Sequence, residues 1–482
     1  MLNRIRVKNF KSFKCLDYSC AKLNLLTGVN GAGKSSFVQL LLLLKAISVK
    51  DLNDTEISAQ GIGFVGKFTD LKYCYANEKD DIEIDVDFTI RAFVEEDEYG
   101  DFLLGAHAIT YGEHLVPYSN SMEYFDKGDI SLVIQLSRAD SFHVVHSAFR
   151  EKFLNSSEFK DLITFQNEHG GSKAIWERVS KGKYVTSEDG DIYLKMREKR
   201  KAVHELRKRI RAEIEKEAIE KGKLLEEELS NMHMVSAYRI KPREVHDTGH
   251  VSGLLNPEGD DVIEYLSTEG QYYYLKPKNP MRHHSTKPEG RSCLIDQINA
   301  WLGEVSPGAK INIKSETVGD YEKFVESVDF GEGDLRRTFK PQNVGFGISY
   351  ILPVLVTLLT AQPEDIVIIE NPEAHLHPRG QSEMGRLIAC AAASGVQLFV
   401  ETHSDHVING VRVAIKEGLI KPEDAKVAFF ERGKHTTPSD DGKDSVEVYT
   451  SERDILIDKN GALSEYPTDF LDEWNNQLME LM

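Results

Sequence analysis

A chain of 482 residues is too long for one small core and long enough for two or three lobes. Lysine and arginine number 59 against 78 aspartates and glutamates, a formal net charge of -19, which argues against a general nucleic-acid coat but not against a local basic site. Five scattered cysteines (Cys15, Cys20, Cys74, Cys293 and Cys390) lack the close pairing of a zinc site and fit a reducing cytoplasm.

The opening MLNRIRVKNF has interspersed charges and no apolar core behind it, so it reads as a strand and not as a signal peptide. A second strand, KLNLLTG, runs through TGVNGAGKSS into FVQLLLLLKAI. That last stretch is apolar but too short to span a bilayer, and a helix buried on nearly all sides is expected. Alternation in DIEIDVDFTIRAF, HAITYG, SLVIQLS and SFHVVHSAF predicts an antiparallel sheet layered on the core. From about Glu151 the character changes. Met196 to Met232 is charged and helical, with Val203, Leu206, Ile210 and Ile214 forming an apolar stripe at three- and four-residue steps. The run is too short and irregular for a long coiled coil. Its first half is basic (Arg197, Lys199, Arg200, Lys201, Arg207, Lys208, Arg209, Arg211) and its second half acidic. MVSAYRIKPRE returns to a strand, KINIKSETVGDYEKFVESVDF is strand-rich, and ISYILPVLVTLLTA is a helix. Then come the strand DIVIIE, the helix RGQSEMGRLIACAAA, the strand VQLFVETHS and the helix HVINGVRVAIKEG. Strands alternating with helices predict a mostly parallel sheet with helices on both faces.

Between the second strand and its helix, three glycines crowd a lysine and two serines. A glycine-rich turn aims successive backbone N–H groups at anionic oxygens, and the helix that follows adds its positive end. Gly28, Gly33, Lys34 and Ser35 fill the pattern G-x-x-x-x-G-K-[ST]. A polyphosphate site follows, with Asn30, Gly31, Gly33 and Ser36 around it, Lys34 reaching the β/γ-phosphates and Ser35 holding Mg2+. Such a site needs a carboxylate on a nearby strand end. Ile366 to Ile369 make a buried strand with Glu370 at its C-terminal end, the edge where such sheets bind ligands. VQLFVETHS ends in Thr402, His403 and Ser404, where a histidine can contact a γ-phosphate and the attacking water.

In this order the segments resemble the ABC-type ATPases, in the soluble branch of SMC, Rad50 and RecF proteins and the prokaryotic OLD-like ATPases. VKNFKSF resembles the NFKSF-like start of that branch, ENPEAHLHP its DEPExHLHP, and FKPQNVGFGISYILPVLVTLL its signature segment. The tail VEVYTSERDILIDKNGALSEYPTDFLDEWNNQLMELM resembles a C-terminal domain of unknown function found in many of these ATPases. Glu151 to Asn231 match no segment of them. The resemblance implies an α/β head, a mixed sheet flanked by helices plus an antiparallel layer, with a mostly helical insertion. Its parts would be an N-terminal lobe with the Walker A loop (1–150), the insertion (151–232), a C-terminal lobe with signature, carboxylate strand and switch histidine (233–435), and a tail domain (436–482).

The resemblance also implies ATP and Mg2+ as cofactors. It puts Glu370 where most relatives have an Mg2+-coordinating aspartate and Asn371 where most have the catalytic glutamate. Asparagine cannot accept a proton. Glu373 then acts from a shifted position, or His403 and the phosphates polarise the water, or hydrolysis is slow. Gly345 falls where a serine would donate to the γ-phosphate, with Ser349 one turn on as a substitute. Gly345 and Gly347 can still present N–H groups at a helix N-terminus. His377 falls at the dimer-contacting D-loop position. In this family the P-loop of one subunit faces the signature of another, which implies a homodimer or a larger even-numbered ring.

Three roles compete. A sensor or scaffold ATPase of prokaryotic anti-phage defence, PtuA-like or AriA-like, would control a nuclease or toxin encoded nearby. A RecF- or Rad50-like repair ATPase would bind DNA, although the long coiled coil of Rad50 is absent. An OLD-type ATPase-nuclease would need a second metal site, against which Asp440 and Asp441 read as a solvated turn. A cytoplasmic protein with no membrane partner is expected. The basic helix is open to three readings: a solvated face paired with neighbouring glutamates, a docking site for a partner protein, or a nucleic-acid contact.

Overall fold

The computed structural model describes residues 1–48, 57–59, 63–66, 68–76, 82–96, 102–104, 122–136, 142–143, 156–168, 187–247, 255–276, 278–286, 292–318, 321–331, 335–437, 445–468, 470 and 473–481. The chain opens with β1 (Leu2–Phe10), β2 (Phe13–Ser19), β3 (Leu23–Gly28) and α1 (Lys34–Ser48). The short pieces β4 (Ile57–Ala59), β5 (Gly63–Gly66) and α2 (Phe68–Leu71) lead to β6 (Ile82–Glu96), β7 (Phe102–Leu104), β8 (Met122–Leu136) and β9 (Phe142–His143). These form an antiparallel sheet in the order β2-β1-β6-β8-β9, with β7 on β6. Alternation decides its faces. Ile5 and Val7 of β1 are buried, while Arg4, Arg6 and Lys8 point outward and pair across strands with Asp17, Asp85 and Glu83 at 2.5, 2.7 and 3.1 Å. This is the expected antiparallel layer; HAITYG and most of SFHVVHSAF lie outside the described residues.

Next come α3 (Ser157–Glu168) and α4 (Ser187–Ser230). α4 has 44 residues, so at 1.5 Å per residue it is about 66 Å long. Met196, Leu206, Leu225 and Leu229 are buried along it, and Val203 is half-buried. The side chains of Arg207, Ile210, Arg211 and Ile214 lie outside the described residues. Lys199 meets Asp161 of α3 at 3.1 Å and Arg209 meets Glu158 at 3.3 Å, while Lys208 lies 3.6 Å from Glu205 on α4 itself. Two of these cations thus pair with the preceding helix. Arg197, Arg200 and Lys201 are exposed. The other end of α4 is anchored: Leu225 and Leu229 share a core with α1, and Lys45 of α1 donates to the carbonyls of Leu229 and Ser230 at 2.5 and 3.1 Å. Those carbonyls have no partner within their own helix.

The remainder runs β10 (Met232–Val235), β11 (Val245–His246), α5 (Val262–Ser267), β12 (Tyr274–Leu275), β13 (Ser292–Cys293), α6 (Leu294–Val305), β14 (Ala309–Val318), β15 (Tyr321–Phe330), β16 (Arg337–Phe339), α7 (Phe346–Thr360), β17 (Ile366–Glu370), α8 (Pro378–Ala393), β18 (Gln397–Glu401), α9 (Asp405–Lys416), β19 (Ala425–Thr437), β20 (Ser445–Leu456) and α10 (Glu473–Leu481). The central sheet has the order β10-β17-β18-β3-β19-β20. Its first five strands are parallel and β20 runs antiparallel to β19. Buried strands of a parallel sheet are apolar on both faces because helices cover both. Leu23, Leu25, Val367, Ile369, Leu398 and Val400 face one core with α6, α7, α8 and α9, whereas Leu26, Ile366, Ile368 and Phe399 face the other with α1 and the antiparallel sheet. The mixed α/β fold expected from the alternating pattern is therefore present.

Two expected boundaries fall inside strands. The one at 232/233 cuts β10, and the one at 435/436 cuts β19. The segment read as a tail domain supplies β20 to the central sheet, and its Phe470 is buried against Phe429 with ring centroids 5.5 Å apart. Among the described residues no helix is long and apolar enough to cross a membrane.

Candidate nucleotide and metal site

β17, β18 and β3 are neighbours that end at one edge of the central sheet. The register sets Glu370 beside Glu401 and Glu401 beside Leu26, just before the glycine loop. This is the C-terminal edge of a parallel sheet, where ligands bind. Close approach fixes the loop. Gly28 has φ 134°, and a Cβ there would lie 2.1 Å from the carbonyl oxygen of Phe430 on β19. Gly33 has φ 110°, and its Cβ would meet Thr450 Oγ1 at 2.6 Å and Ser12 Oγ at 2.8 Å. Only glycine meets both demands, a left-handed backbone and no side chain. Asn30 and Gly31 are exposed, and Arg432 Nε donates to the Gly31 carbonyl at 3.0 Å, stitching the loop to β19. Lys34 opens α1. It is buried, and its Nζ donates to the carbonyls of Gly28 at 2.8 Å and Val29 at 3.1 Å. Burial lowers its pKa, against a smaller pull upward from Glu401. Ser35 is exposed and Ser36 half-buried in the same first turn.

Glu401 was not singled out by the sequence reading. It is 8 % exposed. Burial pushes its carboxyl up to about 7, the neighbouring Glu370 adds to the rise, and Lys34 and a hydrogen bond from Ser35 oppose it. The available signal was a glutamate closing the otherwise apolar strand end LFVE, in register with Glu370. Glu370 is half-buried, and its Oε2 accepts from the Ala237 amide at 2.9 Å. Asn371 adopts φ 46°, a conformation that asparagine tolerates. Its N–H donates to the Glu401 carbonyl at 2.8 Å, and its Oδ1 is buried without a hydrogen bond.

Glu373 clamps the end of the next strand. Its Oε2 accepts from Thr402 Oγ1 and its Oε1 from the His403 amide, both at 2.9 Å. The His403 ring is exposed. Partial desolvation and then the Lys34 charge hold its pKa below the usual imidazole value, with Glu373 opposing, so the ring is neutral at pH 7. Ser404 caps α9 by accepting from the Val407 amide at 3.1 Å.

Arg239 lay in AYRIKPRE, which the sequence reading took as strand and loop alone. It is 2 % exposed. Nη2 donates to the carbonyls of Glu370 at 2.6 Å and Asn371 at 3.4 Å, Nη1 donates to that of Tyr350 at 3.1 Å, and the guanidinium lies 5.9 Å from the centre of the Tyr350 ring. Burial lowers its pKa to about 10, so it stays charged at pH 7 and ties the end of β17 to the first turn of α7.

The signature residues divide. Gly345 is the exposed N-cap of α7 beside the exposed Phe346. Gly347 packs on the His375 carbonyl, which a Cβ would meet at 2.7 Å. Ser349 Oγ is buried without a hydrogen bond, on the wall of a cavity shared with Arg243, His246, Glu326 and Pro353. In this conformation the Ser349 hydroxyl faces that cavity and not the exposed start of α7. His377 is the exposed N-cap of α8, accepting from the Arg379 amide at 3.4 Å. Asp440 and Asp441 lie outside the described residues.

The oxygen donors fit Mg2+. The Ser35 hydroxyl and the Glu370 and Glu401 carboxylates are hard ligands. Two like charges on adjacent strands, one of them raised to about 7, are an arrangement that a divalent cation stabilises.

A P-loop α/β protein with a nucleotide-type site is the class that this geometry defines. Residues 23–409 match the family described as AAA domain, putative AbiEii toxin, Type IV TA system, and the chain belongs to that family. Residues 420–481 match the family described as Protein of unknown function (DUF3696). No curated protein matches the chain. Among solved structures it is similar to the SmcHead bound to the C-winged helix domain of ScpA, at 9 % identity and TM-score 0.37, covering 93 % of this chain and 97 % of that one. A second is the Smc head domain with an extended coiled coil bound to the C-terminal domain of ScpA derived from Pyrococcus furiosus, at 11 % identity and TM-score 0.36, covering 100 % and 99 %. A third is the SMC head domain from Thermotoga maritima, at 9 % identity and TM-score 0.33, covering 92 % and 98 %.

Proposed function

We propose that the chain binds ATP with Mg2+ and hydrolyses it between copies of itself, in a homodimer or larger even-numbered assembly. Its nucleotide state then serves a prokaryotic anti-phage defence system as sensor or scaffold, controlling a nuclease or toxin encoded nearby. The observation that carries the ATPase reading is the meeting of Lys34, Ser35, Glu370 and Glu401 at one sheet edge. The family description, with its putative AbiEii toxin and Type IV TA system, supports the defence role.

Each residue has a task. The loop amides and Lys34 hold the phosphates, and Ser35, Glu370 and Glu401 hold Mg2+, which would neutralise developing negative charge. Asn371 cannot serve as base. Glu373 fixes the backbone of His403, whose neutral ring can donate to or accept from the water or the γ-phosphate. With no committed carboxylate base, turnover is slow. The exposed N-terminus of α7 at Gly345 offers its N–H groups to the nucleotide of a second copy. A repair ATPase is the second reading, favoured by the exposed Arg197, Arg200 and Lys201 of α4.

His403→Ala is expected to slow ATP turnover about 100-fold and to leave ATP affinity within about threefold, because its contact matters most as charge develops on the γ-phosphate. Equal loss of both would make His403 structural. Cells carrying the gene with its neighbours should resist phage plating, and cells carrying Lys34→Ala should not. Equal plating in the two would sink the defence role and leave the ATPase reading standing.

A further inference from the structure

Away from the sheet edge, a second group of side chains converges where residues 278–286 fold over α6. Gln297 of α6 is fully buried and organises that loop. Its Oε1 accepts from the His283 amide at 2.7 Å, and its Nε2 donates to Thr286 Oγ1 at 2.9 Å and Ser292 Oγ at 2.7 Å. Trp301 Nε1 donates to the Met281 carbonyl at 2.8 Å. The loop thus holds His283 and His284 against Glu304 at the end of α6. His283 is 4 % exposed, edge-on to Trp301 with centroids 5.0 Å apart, and its ring lies 4.2 Å from that of His284. Its Nε2 is buried and makes no hydrogen bond, with Glu304 Oε1 3.5 Å away. One ligand atom from each of His283, His284 and Glu304 lies within 4.8 Å of the others.

We propose that His283, His284 and Glu304 bind a divalent transition-metal ion of the Zn2+ class. Two imidazoles with one carboxylate are a zinc donor set, and imidazole nitrogen disfavours Mg2+ and Ca2+. Three protein ligands leave a fourth position for water. An unmatched buried nitrogen is costly unless something meets it, and a cation lying between Nε2 and Glu304 meets it. Burial, with His284 adding, holds the His283 pKa below the usual imidazole value, against a pull upward from Glu304, which favours the neutral form that ligates. Ser285 Oγ lies 2.7 Å from His283 Nδ1, placed to accept its proton and fix the ring with Nε2 toward the ion. The Ser285 amide also lies 3.2 Å from Nδ1 and donates to it in the other tautomer, so ion binding shifts the neutral ring to the Nδ1–H form, the proton lost from Nε2 being matched by one gained at Nδ1. The outer neighbour is Arg379 in the first turn of α8, whose Nη2 is 3.9 Å from Glu304 Oε2. The ion would staple the loop to α6 beside the helix that follows the Glu370 strand.

Untagged protein titrated with Zn2+ in competition with a chromophoric chelator tests this, with Co2+ absorption reporting the ligand field. One tight site per chain is expected. Glu304→Gln and His284→Ala should each weaken it about 100-fold or more, and Ser285→Ala about 10-fold. Glu401→Gln should leave it unchanged. If the wild type binds Zn2+ no more tightly than Glu304→Gln and His284→Ala do, the group is a plain histidine–glutamate pair and the site is overturned. Loss of the site in Glu401→Gln would put the ion at the edge of the central sheet and overturn it equally. His283 packs on Trp301, so His283→Ala risks misfolding. The exposed His284 and half-buried Glu304 therefore carry the decision, with circular dichroism checking that both variants fold.

Discussion

Lys34→Ala is expected to weaken binding of a fluorescent ATP analogue about 100-fold or more, because two charge-assisted contacts of about 1.5–3 kcal/mol each are lost. The Lys34 ammonium is already desolvated, and the Gly28 and Val29 carbonyls hold it at the mouth of the loop. A buried cation with backbone acceptors on one side is placed to gain phosphate oxygens on the other, where little water competes. Lys34→Met separates charge from shape, since it keeps most of the chain packed under the loop. Both variants should bind equally poorly. Near-wild-type affinity in either would remove the nucleotide assignment.

Glu401→Gln is expected to stabilise the protein and to disable it. Turnover should fall about 100-fold or more, because a ligand of the proposed metal shell is lost. Stability should move the other way, and its pH dependence has a definite sign. The Glu401 carboxyl, raised to about 7 in the fold, sits at about 4.3 in an unfolded chain, so the folded state favours the protonated form. The penalty for ionising it is absent below the unfolded value, grows as pH rises between the two, and is full above 7. At full size it is about 4 kcal/mol. In EDTA and without nucleotide, urea denaturation at pH 8 should therefore favour the variant by up to about 4 kcal/mol, and at pH 4 the two should match. A gap that stays flat with pH would mean that Glu401 is not held as a buried, repelled carboxylate.

Much of the fold was legible because its signals are local. Gly28 and Gly33 mark a turn, Ile366 to Ile369 mark a buried strand, and Arg4, Arg6 and Lys8 alternate with Ile5 and Val7 as an exposed sheet face must. What was missed depends on neighbours distant in sequence. Glu401 draws its meaning from Glu370 on the adjacent strand, and no periodicity reports register between strands. Arg239 looks like any charged loop residue until the chain brings it under Tyr350 and Glu370. Ser349 was expected to face a phosphate, but its hydroxyl lines a cavity shared with Glu326 and His246, residues far from it in sequence. α4 was read as starting at Met196, while it begins at Ser187. The intervening SEDGDIYLK carries glycine and two aspartates, poor helix formers, so propensity gave no sign of this first part of the helix. The tail looked separate because its resemblance begins abruptly. A boundary between families need not be a boundary between folding units, and the β19–β20 hairpin runs across this one.

The joint between Lys45 and the last carbonyls of α4 makes that helix a lever. Its fulcrum lies on the same helix that Lys34 opens, and its full length is about 66 Å at 1.5 Å per residue. A tilt of about 5° in α1, transmitted rigidly, would carry the Ser187 end of α4 through about 6 Å, roughly one helical pitch. A displacement too small to alter any contact of the glycine loop would then be large enough at that tip to expose or cover a whole side chain.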